Sequence, residues 1–164
     1  MRKEILRCPV IVMTWAALTL AAATGAAWAE NPTPYPGTQI IETKHSYKDL
    51  VARLDEAVKA NKMGLVTRAS ATLGAKAKLN KTIPGNMVVG VYRPDFAVRM
   101  LEASVPAGIE APLRFYITEN ADGTATLTYR KPSAVFAPYA VPALDEMAKE
   151  LDAIFARIAA AATG

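Results

Sequence analysis

Five residues, Asn-Ala-Asp-Gly-Thr at 120–124, constrain this chain more than any other stretch. Flanked by alternating apolar and polar residues, they have the chemistry of a three-residue hairpin loop. A type I turn covers Ala121 and Asp122, and Gly123 follows in the left-handed conformation of a G1 bulge. Pairing Asn120 with Thr124 fixes every other pair. Ile117 then faces Leu127 and Phe115 faces Tyr129 on the core side. Thr118 faces Thr126, Tyr116 faces Thr128 and Arg114 faces Arg130 on the other. A slip of one residue breaks all of these matches. The register also sets two like charges opposite each other, unfavourable by some tenths of a kcal/mol to about one. Two guanidinium forks beside the Tyr116 hydroxyl would suit a carboxylate or phosphate. Arg114, Tyr116 and Arg130 are therefore the candidate ligand-binding residues, for a small anionic molecule or an acidic partner surface. The plainer reading is that the arginines splay into solvent or pair with Glu102, Glu110 or Glu119.

The strongest periodic signal closes the chain. Pro142 can open a helix, with Asp145 and Glu146 in its first turns. Leu144, Met147, Ala148, Leu151, Ile154, Phe155 and Ile158 then recur at helical spacing, the stripe of a helix packed on a sheet. Upstream, 38–44 has strand composition. Ser46 and Asp49 resemble a capping box, opening a helix with Tyr47, Leu50, Val51, Leu54 and Val58 on one face. Gly64 suits a left-handed cap, and Lys59 and Lys62 sit where the helix dipole favours cations. Residues 65–73 and 86–92 read as strands. The basic segment 74–85 between them has room for a short helix. Pro94 begins a helix with Asp95 near its positive end, and Ala97, Met100, Leu101 and Val105 are expected to face the core. Residues 131–141 are a Pro-interrupted crossing. The order β-α-β-(α)-β-α-β-β-α makes one α+β domain over 38–162, with a mostly antiparallel sheet packed by amphipathic helices.

The N-terminus has a different grammar. Arg2, Lys3 and Arg7 precede an apolar run that exits through Ala27 and Ala29, the pattern of a Sec-type signal peptide over 1–29. Cleavage before Glu30 predicts a periplasmic or secreted protein with no membrane span left, joined to its domain by the Pro-rich tether 30–37. No paired arginines precede the run, and Cys8 lies before it, where no lipoprotein anchor forms. The remaining 135 residues suffice for one domain with a real core. They carry 16 basic against 14 acidic side chains, a net of +2, so bulk charge gives no reason to expect a nucleic-acid partner. Cys8 is the only cysteine and His45 the only histidine. The mature chain therefore has no thiol chemistry, no disulfide and no thiolate or histidine metal cluster of its own, and neither metal nor cofactor is expected.

The other candidates read as structure. His45 precedes a helix cap with no evident orienting partner, and is expected at the surface. Asp145, Glu146, Glu150 and Asp152 interleave with the apolar stripe, as a solvated helix face does. Lys76, Lys78 and Lys81, near Arg68, lack the aromatic interleaving of a polyanion site. Met63, Met87, Met100 and Met147 are dispersed in sequence, as core fillers are, and not clustered as copper ligands. No phosphate loop, nucleophile elbow or Ser-Lys dyad is present.

The run from Val91 to Pro132, followed by the closing helix, resembles the family known as domain of unknown function 302. The residues that carry the likeness are Gly108, Pro112, Leu113 and Arg114, in a Gly-x-x-x-Pro-Leu-Arg strand, and Asp122 and Gly123 in the turn. At the level of element order it extends over roughly 38–160. Family members often have Asn-Pro where this chain has Arg93-Pro94. The resemblance implies an α+β domain, dimeric, and brings no catalytic residues, because the family has no assigned reaction. The leading expectation is a non-enzymatic domain that acts as a homodimer and binds a small anionic or amphipathic ligand, or serves another envelope protein. The alternatives are a small-acid enzyme using Arg, Tyr and carboxylates, and a purely structural self-association module.

Overall fold

A computed structural model describes residues 34–164. The expected signal peptide lies outside the described residues, as does the start of the tether. The elements are β1 (Thr38–Ser46), α1 (Tyr47–Ala60), β2 (Gly64–Ala69), α2 (Ala71–Leu79), β3 (Asn86–Tyr92), α3 (Pro94–Ala103), β4 (Leu113–Glu119), β5 (Thr124–Arg130), α4 (Pro132–Phe136) and α5 (Pro142–Thr163).

The hairpin forms in the expected register, with Ile117 opposite Leu127 and Phe115 opposite Tyr129. The Asn120 N–H donates to the Thr124 carbonyl at 2.8 Å, and Gly123 takes φ +82°. Asp122 locks the turn, accepting from the Thr124 hydroxyl at 2.6 Å and the Thr124 N–H at 3.0 Å. The hydroxyl bond first, then the N–H, holds the Asp122 carboxyl below its ordinary range. A lowered carboxyl pKa stabilises the fold fully above the unfolded value, about 3.9, and loses that contribution as pH falls through the folded one. In an NMR titration the Thr124 amide should report a midpoint below that of aspartate in an unfolded peptide. A midpoint at or above the peptide value would mean that the turn does not favour the ionised form.

The hairpin becomes the heart of a five-stranded sheet in the order β1-β5-β4-β3-β2, antiparallel at every pairing. Both edge strands are irregular, with register breaks between Glu42 and Ser46 in β1 and between Leu65 and Thr67 in β2. Such breaks, with the edge charges Glu42 and Lys44, blunt edge-to-edge pairing.

The core lies against one face of this sheet. All seven residues of the predicted α5 stripe are buried, and Ala159 and Ala162 extend it. Leu50, Leu54 and Val58 of α1 are fully buried. Phe155 stacks on Phe115 at 4.6 Å between centroids, with Tyr129 tilted against both. Arg53 ties α1 to the end of α5, where carbonyls have no partner within the helix. Its guanidinium donates to Ala162 at 2.8 Å and Gly164 at 2.5 Å.

Four expectations change. The left-handed residue after α1 is Lys62 (φ +58°), and Gly64 opens β2. The strand expected over 65–73 stops at Ala69, because Ser70 accepts from the Leu73 N–H and caps α2 instead. Leu101 and Val105 are exposed, by 46% and 73%. The buried face of α3 runs through Phe96, Ala97 and Met100, and the helix ends at Ala103, so Val105 falls in the 3-10 turn beyond it. The crossing 131–141 holds a short helix, α4, whose Val135 and Phe136 enter the core.

Candidate functional site

Successive strand residues alternate between faces, so the far side of the sheet displays Arg114, Tyr116 and Thr118 of β4 beside Thr124, Thr126, Thr128 and Arg130 of β5. Ile40 of β1 and Val88 of β3 continue this surface. None of these residues is buried. Gly90, opposite Arg114, is the exception, because Thr67 and Pro112 close over it.

The three predicted residues share this face. Arg114 and Arg130 lie one step beyond the Phe115–Tyr129 pair, with Gly90 of β3 and Thr38 of β1 as their outer neighbours. Arg114 is exposed and Tyr116 is 39% exposed. Arg130 is half-buried, its guanidinium 4.7 Å over the Tyr35 ring, with one terminal nitrogen donating to the Ala134 carbonyl at 3.3 Å. Its Nε is buried with no partner, alone in this among the described side chains. The tether end is therefore docked on the domain through Tyr35. Among the described residues neither arginine forms an ion pair. Glu119 accepts instead from the Gly85 N–H at 2.6 Å, and Glu110 from the Tyr139 hydroxyl at 3.1 Å. Tyr47 lies near Tyr116 and Glu119. Burial raises its phenol above the usual range; a Ser70 hydrogen bond opposes this, and the Glu119 carboxylate and the neighbouring Tyr116 phenol add to it.

The remaining candidates occupy separate places. His45 is half-buried near the end of β1. Glu150 makes a two-pronged bridge to Arg99 at 2.7 and 2.9 Å, and Asp152 accepts from the Ser133 N–H at the start of α4. Both therefore do more than face solvent. Lys76, Lys78 and Lys81 are exposed, and Arg68 pairs with Asp55. No group of three or more His, Cys, Asp or Glu residues stands together among the described residues.

Sequence reading missed one feature. Between the end of β3 and helices α3, α4 and α5 lies a small apolar crevice of about 30 Å³. Met63, Met100 and Met147, far apart in sequence, line it together with Phe96, Leu113 and Arg93. Only the folding of three distant elements onto one spot reveals it.

Helices on one face of five antiparallel strands, with no helix of the described residues packed across Arg114, Tyr116 and Thr128 on the other, define a two-layer α+β protein. A family model described as domain of unknown function DUF302 matches residues 39–162, and the chain belongs to that family. None of the curated proteins matches it. Among solved structures it is similar to the crystal structure of an uncharacterized conserved DUF302 protein from Bacillus stearothermophilus. The TM-score is 0.67 and the identity 21%, over 77% of this chain and 96% of that one. At that identity the likeness shows the fold.

Proposed function

We propose that this is an exported, non-enzymatic domain that acts as a homodimer and holds a small anionic or amphipathic ligand beside Arg114, Tyr116 and Arg130. The observation that supports the reading is the sheet face that the described residues leave largely open, where Arg114 stands exposed without an ion-pair partner among hydroxyl groups. Five strands of about seven residues, rising ~3.3 Å per residue and ~4.8 Å apart, present roughly 550 Å². Two copies in face-to-face contact would bury about 1,100 Å², near the lower bound for a specific interface. Helix α2 supports the same reading. It buries no residue and leaves Leu73 and Leu79 exposed by 68% and 65%. A helix this short is marginal without a packing partner, which a second copy would supply. Export rests on the residue pattern of 1–29.

The chain from Glu30 onward keeps every described element and suits the test. It should sediment as a dimer at micromolar concentration, and Leu73→Lys with Leu79→Lys should shift it towards monomer. A thermal-shift screen of carboxylates, phosphates, sulfur oxyanions and fatty acids should give a stabilising class that Arg114→Ala loses. A monomer that no compound stabilises would refute the proposal.

A further inference from the structure

The apolar crevice has a charged rim. Arg93 lies 4.2 Å over the Phe96 ring, and Arg99 lies 5.2 Å from the same ring. Phe96 thus forms one wall of the crevice and a platform for two guanidiniums. Arg93 itself lines the crevice, whereas Arg99 reaches only the Phe96 ring. Its carboxylate partner, Asp95, is bound at 2.7 and 3.0 Å from two residues along the chain, with its side chain 57% exposed. Exposed pairs of this kind contribute little, so a competing carboxylate displaces Asp95 at small cost. Inside, the lining is thioether, aromatic and aliphatic.

Two ligand chemistries suit such a lining. Three thioethers are soft donors for monovalent copper, but Arg93 is the one charged side chain of the lining, and it is a cation. Arg99 is held by Glu150, so Arg93 alone gives the opening its preference for an anion. The volume sets the other limit. About 30 Å³ holds roughly two water-sized groups. That is the space for a tail of about two carbons, and unbranched methionine side chains can yield a little more.

We propose that this crevice binds a short-chain monocarboxylate, with its apolar tail among Met63, Met100 and Met147 and its carboxylate on Arg93. The inference rests on the reading of the protein as a binder of small amphipathic anions, and places a site for them away from the open sheet face. The test is a titration of the chain from Glu30, carrying ¹³C-methyl methionine, with acetate, propionate, butyrate, butanol, butylamine and silver ion. Butyrate should move the methyl signals of Met63, Met100 and Met147 saturably and leave Met87 still. Affinity should rise about fourfold from acetate to propionate, with a smaller further gain to butyrate as the space fills. Arg93→Ala, and Arg93→Gln as a second variant, should weaken butyrate about tenfold and leave butanol unchanged. The proposal fails if butyrate moves none of the three methyls. It fails if butanol and butylamine act as well as butyrate, or if only silver ion moves them. If Arg114→Ala abolishes acid binding and Arg93→Ala does not, the crevice assignment falls while the broader reading stands.

Discussion

Replacing Phe155 by alanine is expected to lower the unfolding free energy by about 3–5 kcal/mol. Phe155 is fully buried, and its ring stacks on Phe115 at 4.6 Å, with Tyr129 at 5.8 Å. The loss has two sources. Transfer of the ring out of water is forfeited, and the space it leaves is walled by the sheet on one side and α1 on the other, where little can collapse. Domains of this kind are stable by only about 5–15 kcal/mol, so the variant should melt roughly 10–20 °C lower. Thermal and urea unfolding followed by circular dichroism would measure it. A loss below about 1 kcal/mol would mean that the three-ring cluster is not the well-packed centre that its geometry describes. Phe155→Leu fills more of the space and should recover about half of the loss.

The second large effect falls on Gly90. A Cβ there would stand 2.1 Å from the Thr67 Oγ1, 2.8 Å from the Pro112 Cγ and 3.2 Å from its Cβ. In open space, glycine to alanine in a strand gains about 0.4–1 kcal/mol by restricting the unfolded chain. Here the overlap outweighs that gain. The Thr67 hydroxyl can rotate away, but the proline ring cannot. Gly90→Ala should therefore destabilise by about 1–3 kcal/mol. Thr67→Ala placed behind it should recover part of the loss and not all. The double-mutant cycle separates the two contacts. Full recovery would show that Pro112 yields more than its ring allows, and no recovery would place the whole cost on the proline.

Legibility in the sequence followed the range of the forces involved. The hairpin register was readable because the turn chemistry of Asp122 and Gly123 is local and the core pairs on either side agree with it. The α5 stripe was readable because nine buried positions repeat on one helix face. Gly64, by contrast, suits a left-handed cap by residue type, yet the chain holds Lys62 in that conformation and places the glycine at a strand start. The strand expected over 65–73 ends early because Ser70, which by residue type suits a strand or a helix cap equally, takes the cap. Leu101 and Val105 look like core residues by composition, yet the helix turns Phe96 inward in their place. At the candidate site, the common face of Arg114, Tyr116 and Arg130 was legible from alternation alone. The contact that turns Arg130 towards Tyr35 was not, since it depends on how the tether returns to the sheet. The methionine-lined crevice had no sequence signal at all.

The pairing of the first strand with the last has a consequence for how the chain matures. Thr38 meets Arg130 and Ile41 meets Leu127 only after nearly the whole domain has been made. The final helix then contributes nine buried residues, and Arg53 waits for carbonyls near the chain's end. A growing polypeptide of this design has no finished core to close around until its last turns are available, and loop closure over such distances is slow. That delay keeps the growing chain open until its last helix is made.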